Sequence, residues 1–350
     1  MLRLQDIRRV HVELTTRCNA RCPMCMRNYR GLDYNSGYPE CELSLEQFKH
    51  IFSASFLQQL IQPDPAVNGR RPVVYDFRGI LFNGNLGDFA SAQDAAEIVQ
   101  YLTDHNIPVM INTNGGARTP EWWAKMAHPN VKIGFALDGL ADTHSLYRQD
   151  TDWHKVIKNA SAFIAAGGQA IWRFIPFEHN RHQEAACRDM AKQLGFKRFE
   201  NIYDGRDTGP VFTRSGQYSH FIGINDNPRR YAPQINNLLE NHITWYKAAT
   251  VVETKDTAKL NIDCFHKRSK EIYVAADGSV YPCCFLGFYP ATMKHPGNQE
   301  LAPLISQNNA LQYPLEQCLE WFDRVKQTWN LASIAQGRTY QCVKTCNKIS

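Results

Sequence analysis

The stretch RVHVELTTRCNARCPMC, residues 9–25, joins a strand-like run directly to three closely spaced cysteines. The β-branched and apolar residues at 9–16 predict a buried strand. Cys18, Cys22 and Cys25 then follow, with three residues between the first two and two between the last two. At this spacing all three thiols can point inward only if the loop surrounds one compact group. Random placement of 11 cysteines would give this trio in about one chain in 100, so the spacing indicates a shared site.

Strand-like and helix-like segments alternate from this loop onward. Further apolar runs lie at 73–81, 108–113, 131–138, 170–177 and 197–202. The helix-period segments between them lie near 44–61, 89–105, 119–128, 153–167 and 181–194. This alternation predicts parallel β-α-β units in an α/β fold. Six units predict a partial (β/α)6 TIM-like barrel, in which the loops after the strands carry the chemistry.

The pattern changes after residue 203, which predicts three regions. Residues 1–203 form the barrel, 204–262 form a polar bridging region with a helix near 233–248, and 263–350 form a small cysteine-rich module. Within that module we expect a β-hairpin that turns at Asp277-Gly278 and a helix at about 314–328.

Composition and charge exclude several classes of protein. The net charge is +5, and the only Arg-Arg doublets are Arg8-Arg9, Arg70-Arg71 and Arg229-Arg230, so a nucleic-acid surface is not indicated. No apolar run approaches the roughly 20 residues that span a bilayer, and the N-terminus lacks a signal-peptide core. We therefore expect a cytoplasmic protein without membrane contact, in which cysteines bind metal rather than form disulfides.

The first cysteine trio fits a [4Fe-4S] cluster with three protein-ligated irons and one open iron. The alternative is a zinc site, which needs a fourth protein ligand. Candidates for that ligand are Cys41, His11 and His50.

The trio and its position after the first strand resemble the radical S-adenosylmethionine (radical SAM) superfamily. The segments IGFALDGLADTHSLYRQD (133–150) and IWRFIPFEHNRHQEAACRDMAKQLGFKRF (171–199) extend the resemblance over about residues 9–203. It implies that Cys18, Cys22 and Cys25 hold the cluster and that the amino and carboxylate groups of SAM chelate the open iron. One electron would then cleave SAM, and the resulting 5′-deoxyadenosyl radical would remove a hydrogen atom from a substrate C–H bond.

The resemblance also implies which loops contact SAM. The stretch NGNLGD (83–88) stands where relatives carry a Gly-Gly-Glu-Pro-like loop, which makes Gly84, Asn85 and Asp88 candidate ligands of SAM. For Asp88 the alternative is an ordinary helix N-cap. The further candidates, each with a structural alternative, are Asn114 (a plain turn), Arg148 on the SAM carboxylate (a solvated arginine) and Phe177 on adenine (a core aromatic). Ala136 replaces the serine that relatives often carry.

The late cysteines resemble a shortened SPASM module of the twitch type. That module opens with a cysteine, a glycine and a second cysteine at the spacing found here: 13 residues separate Cys264 from Gly278, and four separate Gly278 from Cys283. The resemblance implies one auxiliary [4Fe-4S] cluster, held by Cys264, Cys283, Cys342 and Cys346. Cys284 could replace Cys283, and Cys318 could replace a late ligand or act as a hydrogen-atom donor. A zinc knuckle is the alternative.

These features leave three hypotheses about function. The first is a radical SAM enzyme that modifies a peptide or protein, the second is the same chemistry on a sugar or aminocyclitol, and the third is a non-catalytic zinc module. Either enzyme needs an electron donor such as flavodoxin or ferredoxin. About eight residues precede the first strand, which argues against a leader-binding domain. A broad groove for a larger partner is indicated by Tyr203, Tyr218, Trp245 and Tyr246.

Overall fold

A computed structural model describes residues 2–25, 27–28, 30–31, 39–63, 77–202, 209–223, 262–288, 301–331, 333 and 336–346. The chain divides into two compact units. The N- and C-terminal unit contains Met1–Val12, Glu46–Ile80 and Leu238–Ser350, and the barrel unit contains Glu13–Leu45 and Leu81–Asn237. No helix among the described residues is both long enough and apolar enough to cross a membrane.

Consecutive strands of the barrel unit lie side by side in chain order. The strands are β2 (Gly79–Phe82, which begins in the other unit), β3 (Val109–Thr113), β4 (Val131–Ala136), β5 (Gln169–Phe174) and β6 (Arg198–Asn201). The pairs β3–β4, β4–β5 and β5–β6 are parallel. This order confirms the predicted α/β class and the partial TIM-like barrel.

Helices connect these strands and begin and end at residues that the sequence marks. The helices are α1 (Leu45–Ile51), α2 (Ala54–Leu60), α3 (Ala95–Asp104), α4 (Pro120–Lys125), α5 (His144–Tyr147), α6 (Trp153–Ala165) and α7 (Glu184–Gln193). The Thr119 hydroxyl accepts the Trp122 N–H at 3.4 Å and caps α4, as its position before Pro120 predicts. Gly167, with a φ of +91°, follows α6 as the expected helix stop.

Aromatic side chains pack the helices onto one face of the parallel strands. The ring of Phe135 on β4 lies 5.3 Å from that of Trp123 on α4 and 6.2 Å from that of Phe163 on α6. Trp172 on β5 lies 5.3 Å from Phe196, which precedes β6. Burial of each such ring contributes roughly 1.5–3 kcal/mol, so this face is the core of the unit. Alternate residues of the same strands face the opposite side.

The N- and C-terminal unit joins the first strand of the chain to the late hairpin. Strand β1 (Arg9–Val12) pairs in parallel with β9 (Glu271–Val274), and β9 pairs antiparallel with β10 (Val280–Tyr281). Gly278, with a φ of +84°, turns the hairpin as predicted. Around it lie α8 (Phe265–Ser269), α9 (Phe322–Thr328) and α10 (Tyr340–Cys346).

Three predictions of secondary structure need correction or fall outside the described residues. The continuous helix expected at 314–328 is wrong, because a 3-10 turn at Gln317–Leu319 precedes a separate α9. The polar segment after 203 contains an antiparallel hairpin that the sequence pattern missed, β7 (Gly209–Phe212) and β8 (Tyr218–Ile222). Outside the described residues lie the helix at 233–248, the start of the run at 73–81, and Tyr203, Trp245 and Tyr246. The predicted boundaries at 203 and 262 stay a prediction.

Candidate metal and cofactor site

Three cysteines of the loop after β1 meet in one apolar cluster of the barrel unit. Cys22 is buried, and the half-buried Cys18 and Cys25 pack against the same cluster. The loop folds back on itself, since the Cys25 N–H donates to the Cys22 carbonyl at 3.0 Å and the Arg30 N–H donates to the Pro23 carbonyl at 2.9 Å. The other buried members of the cluster are Ala20, Tyr147, Ile175, Phe177, Val211 and Ile222. The structure therefore brings together the trio that the sequence singled out.

Nitrogen donors point at two of these sulfurs. Arg148 Nη1 lies 3.7 Å from Cys22 Sγ, and Asn114 Nδ2 lies 3.5 Å from Cys18 Sγ. The Ala20 N–H also donates to Cys18 Sγ at 3.4 Å. Such donors stabilise thiolate and sulfide charge, which is how proteins tune iron–sulfur clusters. Burial, together with the negative charge of Asp88, raises the pKa of the Cys18 thiol, so binding of a metal there must release its proton.

Arg148 is held in place by a buried carboxylate. Its Nε donates to Asp138 Oδ2 at 2.6 Å, and Asp138 is fully buried. Burial opposes the charge of Arg148, but the charges of Asp138 and Cys22 outweigh that effect and raise the pKa of Arg148 well above its usual value. The solvated-arginine alternative is therefore wrong for Arg148, which lies beside the cysteine loop with its charge intact.

Asp88 closes the loop between β2 and α3. Its Oδ1 accepts the Ala90 N–H at 3.1 Å and the Thr113 hydroxyl at 2.8 Å, and its Oδ2 accepts the Asn114 N–H at 2.7 Å. Burial raises the pKa of Asp88, and these hydrogen bonds oppose the rise. The N-cap alternative is confirmed, and the same carboxylate ties the loop to the end of β3.

The loop 83–88 lies directly against the chain that leads to Cys18. A Cβ at Gly87 would come 1.7 Å from the Thr15 carbonyl oxygen, and a Cβ at Gly84 would come 1.9 Å from the Gly87 carbonyl oxygen. Only glycine permits this approach. Glu13 Oε1 accepts the N–H groups of Leu86 and Gly87 at 2.5 and 2.9 Å, a contact that sequence reasoning missed. A buried carboxylate in a strand-like run was the available signal.

Asn114 and Phe177 also lie at the cysteine loop. Asn114 Nδ2 donates to Asn19 Oδ1 at 3.0 Å, in addition to its contact with Cys18. The Phe177 ring lies 4.6 Å from that of Tyr147 and is nearly parallel to that of His179 at 5.3 Å. The core-aromatic alternative for Phe177 is therefore confirmed, and this core is the one that surrounds Cys22.

The late cysteines meet at a second place, in the N- and C-terminal unit. A cavity of about 250 Å³ is lined by Cys264, Cys283, Cys342 and Cys346. Neither Cys284 nor Cys318 is among its lining residues. Cys318 is fully buried, with its sulfur 3.8 Å from the Tyr313 carbonyl, so the structure gives no support to its suggested role as a hydrogen-atom donor.

The second cavity contains a hydrogen-bonded thiol pair and a buried N–H group. A hydrogen bond from Cys346 lowers the pKa of Cys264, and the same bond raises the pKa of Cys346. Trp329 lines the cavity, and its indole N–H is buried without a hydrogen-bond partner among the described residues. The cavity is also lined by three lysines and three carboxylates: Lys267, Lys270, Lys326, Asp6, Glu271 and Asp323.

Among the described residues, no three His, Cys, Asp or Glu side chains lie close enough together to hold one metal ion. A single ion needs all its ligands around one centre, whereas each cysteine of a cubane binds its own iron, so the ligands of a cubane lie farther apart. The chemistry of both sets, thiols gathered in apolar surroundings with N–H donors nearby, fits a cluster.

Comparisons with known proteins add to this geometry. No family model matches the chain. The AdoMet-dependent heme synthase of Methanosarcina barkeri is 29% identical over 138 residues, which make up 39% of this chain and 33% of that protein. Streptococcus suis SuiB bound to S-adenosylmethionine aligns with a TM-score of 0.53 and 13% identity, over 89% of this chain and 65% of SuiB. SuiB bound to precursor peptide SuiA gives a TM-score of 0.52 at 12% identity, over 89% and 64%.

The chain thus spans 33% of the length of the curated relative and 65% of SuiB. At 13% identity, the likeness to SuiB shows a shared fold. The chain thus shares the fold of SuiB, is similar over 138 residues to an AdoMet-dependent heme synthase, and gathers three cysteines after its first strand.

Proposed function

We propose that this protein is an enzyme that cleaves SAM reductively and modifies a peptide or protein by a radical reaction. One observation carries the proposal: Cys18, Cys22 and Cys25 share a cluster in which Arg148 and Asn114 direct N–H groups at two of the sulfurs. We propose that the chain belongs to the radical SAM superfamily, whose cofactors are SAM and a [4Fe-4S] cluster. Bound at the trio, they would supply the electron transfer that generates a 5′-deoxyadenosyl radical for hydrogen-atom abstraction.

The residues around the trio have separate tasks. Arg148, fixed by Asp138, stabilises negative charge at Cys22 and offers its remaining N–H groups to the SAM carboxylate. Gly84 and Asn85 let the loop backbone approach the SAM amino group. Both oxygens of Asp88 are engaged in holding that loop, so we assign Asp88 a positioning role rather than the ammonium contact.

Asn114 and Phe177 complete the proposed cofactor site. Asn114 lies within reach of Cys18 and holds the end of β3 against the cysteine loop. Phe177 and Tyr147 form an apolar wall beside Cys22, and such a wall excludes water from a reactive radical.

We further propose that Cys264, Cys283, Cys342 and Cys346 bind one auxiliary [4Fe-4S] cluster. Their shared cavity and the buried N–H of Trp329 support this assignment. Four thiolates would saturate the irons, which favours electron transfer over substrate binding as its role. A flavodoxin or ferredoxin in the cytoplasm would supply electrons to the enzyme.

A peptide substrate is proposed because the shared fold includes SuiB, which has been solved with precursor peptide SuiA. Modification of a sugar or aminocyclitol is the competing proposal. The genomic context separates the two, since a short peptide gene nearby favours the first and a sugar pathway favours the second.

The deciding experiment is anaerobic purification followed by iron and sulfide analysis and an assay with reductant and SAM. We expect about eight irons per chain, from two cubanes, and formation of 5′-deoxyadenosine. A colourless protein that contains zinc but no sulfide would establish the zinc alternative and overturn the proposal.

A further inference from the structure

Two short helices present one face each to the cavity that the late cysteines share. The lining residues of α9 and its C-cap recur at the spacing of a single helix face: Phe322, Asp323, Val325, Lys326 and Trp329. The lining residues of α10 follow the same spacing: Gln341, Cys342, Thr345 and Cys346. One tryptophan and two of the four cysteines therefore border the same space from neighbouring helices.

Hydrogen bonds between two threonines hold the end of α9 against the start of α10. Thr328 Oγ1 lies 2.7 Å from Thr339 Oγ1, and it also accepts the Thr339 N–H at 3.2 Å. Both threonines are buried. Thr328 directly precedes Trp329, and Thr339 lies three residues before Cys342. This contact therefore fixes the backbone at Trp329 relative to the helix that carries Cys342 and Cys346.

The tryptophans at the two ends of α9 differ in how their indole N–H groups are used. Trp321 is fully buried and donates to the Val280 carbonyl at 3.3 Å. Trp329 is half-buried, but its indole nitrogen is buried and has no hydrogen-bond partner among the described residues. An unsatisfied buried donor costs about 1–3 kcal/mol. An N–H left in this state beside a cavity points to an acceptor that binds in the cavity.

Two of the carboxylates that line the cavity already have partners. Asp6 Oδ2 accepts from Arg3 Nε at 3.0 Å, and Glu271 Oε1 lies 2.7 Å from His266 Nδ1. The cysteines are different, because they become thiolates only when they bind metal. Thiolates and inorganic sulfides carry the negative charge that N–H donors stabilise in iron–sulfur proteins. A cluster held by the four cysteines would thus bring the acceptor that the indole lacks.

We propose that the Trp329 indole N–H donates a hydrogen bond to a sulfur of the auxiliary cluster and raises its reduction potential. Trp329 packs against the apolar cluster that contains Cys283 and Cys342, so its ring lies beside two of the proposed ligands. Reduction adds one negative charge, which the N–H stabilises more in the reduced form than in the oxidised form. The inference rests on the proposed auxiliary cluster and assigns a residue that tunes its electron transfer.

The first test measures the reduction potential of the second cluster by EPR titration. The signals that are absent from Cys264→Ala/Cys346→Ala belong to that cluster. Trp329→Phe removes the N–H and keeps an aromatic ring. The equilibrium constant for one-electron reduction should fall about tenfold, which corresponds to a potential lower by about 59 mV. Trp321→Phe is the matched control, because the Val280 carbonyl already holds its N–H, and it should leave the potential unchanged.

The second test detects the indole directly and works in the wild-type protein. The protein is produced with tryptophan that carries the heavy nitrogen isotope in its indole ring. Pulsed EPR of the reduced second cluster should show a hyperfine coupling to that isotope in wild type and in Trp321→Phe, and the coupling should be missing from Trp329→Phe. If Trp329→Phe does not retain the cluster, the wild-type coupling decides alone.

Two outcomes would overturn the inference. They are an unchanged potential in Trp329→Phe and a wild-type spectrum without the indole coupling. Both leave the auxiliary cluster itself in place, because its assignment depends on the iron and sulfide that are lost in Cys264→Ala/Cys346→Ala. If that variant keeps all its iron, the auxiliary cluster is overturned and this inference with it.

Discussion

The two cysteine regions differ in how the chain assembles them. Cys18, Cys22 and Cys25 lie within one short loop, which main-chain hydrogen bonds and the packed glycine at 87 hold in shape. Cys264 and Cys346, by contrast, come from the start of α8 and the end of α10. The first set is therefore a local structure, and the second exists only when distant segments have folded together. Metal binding at the second set should thus be linked more strongly to folding.

The largest effect is expected from removal of the local set. The triple variant Cys18→Ala/Cys22→Ala/Cys25→Ala should lose 5′-deoxyadenosine formation and retain about four of about eight irons, because the distant set assembles without it. Cys264→Ala/Cys346→Ala should also retain about four irons, but its melting temperature should fall by about 5 °C more. Iron analysis and calorimetry measure both. Cys187→Ala, at a buried cysteine outside both sets, is the control. Loss of all iron in the triple variant would contradict the independence of the two regions.

A smaller effect should follow from a single added methyl group. Gly87→Ala places a Cβ 1.7 Å from the Thr15 carbonyl oxygen, so the backbone must move at a cost of about 3 kcal/mol. Weaker SAM binding by about a hundredfold should result, measured by equilibrium dialysis. Gly167→Ala is the matched control, since its Cβ meets open space and only its positive φ costs about 1 kcal/mol. Equal SAM affinity in both variants would show that the loop geometry is not needed.

Arg148→Lys tests whether the contacts of the guanidinium group matter beyond its charge. Lysine cannot bridge Asp138 and Cys22 in the way that the planar fork does. We expect a loss of about tenfold in 5′-deoxyadenosine formation and a shifted reduction potential of the first cluster, followed by EPR titration. The signal of the second cluster should stay unchanged, and Arg188→Lys should match wild type. An unaltered potential would reduce Arg148 to a structural role.

The smallest effect concerns acid stability near the distant set. Glu271 is buried, and although burial alone would raise its pKa, the hydrogen bond and charge of His266 and the charge of Arg9 lower it overall. A lowered pKa means stability that is present above the unfolded-state value and is lost as pH falls through the folded-state value. Glu271→Gln should therefore destabilise the protein in urea at pH 7, and the difference from wild type should shrink toward pH 3. Glu46→Gln, at an exposed carboxylate, should change stability by less than about 0.5 kcal/mol at either pH.

Local sequence signals predicted the local structures well. The trio, the cap at Thr119 and the turn at Gly278 each depend on a few neighbouring residues, and the structure has the predicted packing or turn at each. Contacts that depend on register across the sheet were not readable. Two such contacts are that of Glu13 with the 83–88 loop and that of Arg173 with Gly134. Both depend on the order and register of the strands in the sheet, which no short sequence pattern encodes.

The parallel pairing of β1 with β9 has a consequence for biosynthesis. Val12 pairs with Val274 in this register, so β1 is synthesised 262 residues before the strand that it pairs with. During that interval one edge of β1 lacks its hydrogen-bonding neighbour, and an unpaired edge invites association with other nascent chains. A ribosome that stalls before the hairpin would release a polypeptide prone to aggregation, so chaperone protection of the emerging β1 strand would be valuable.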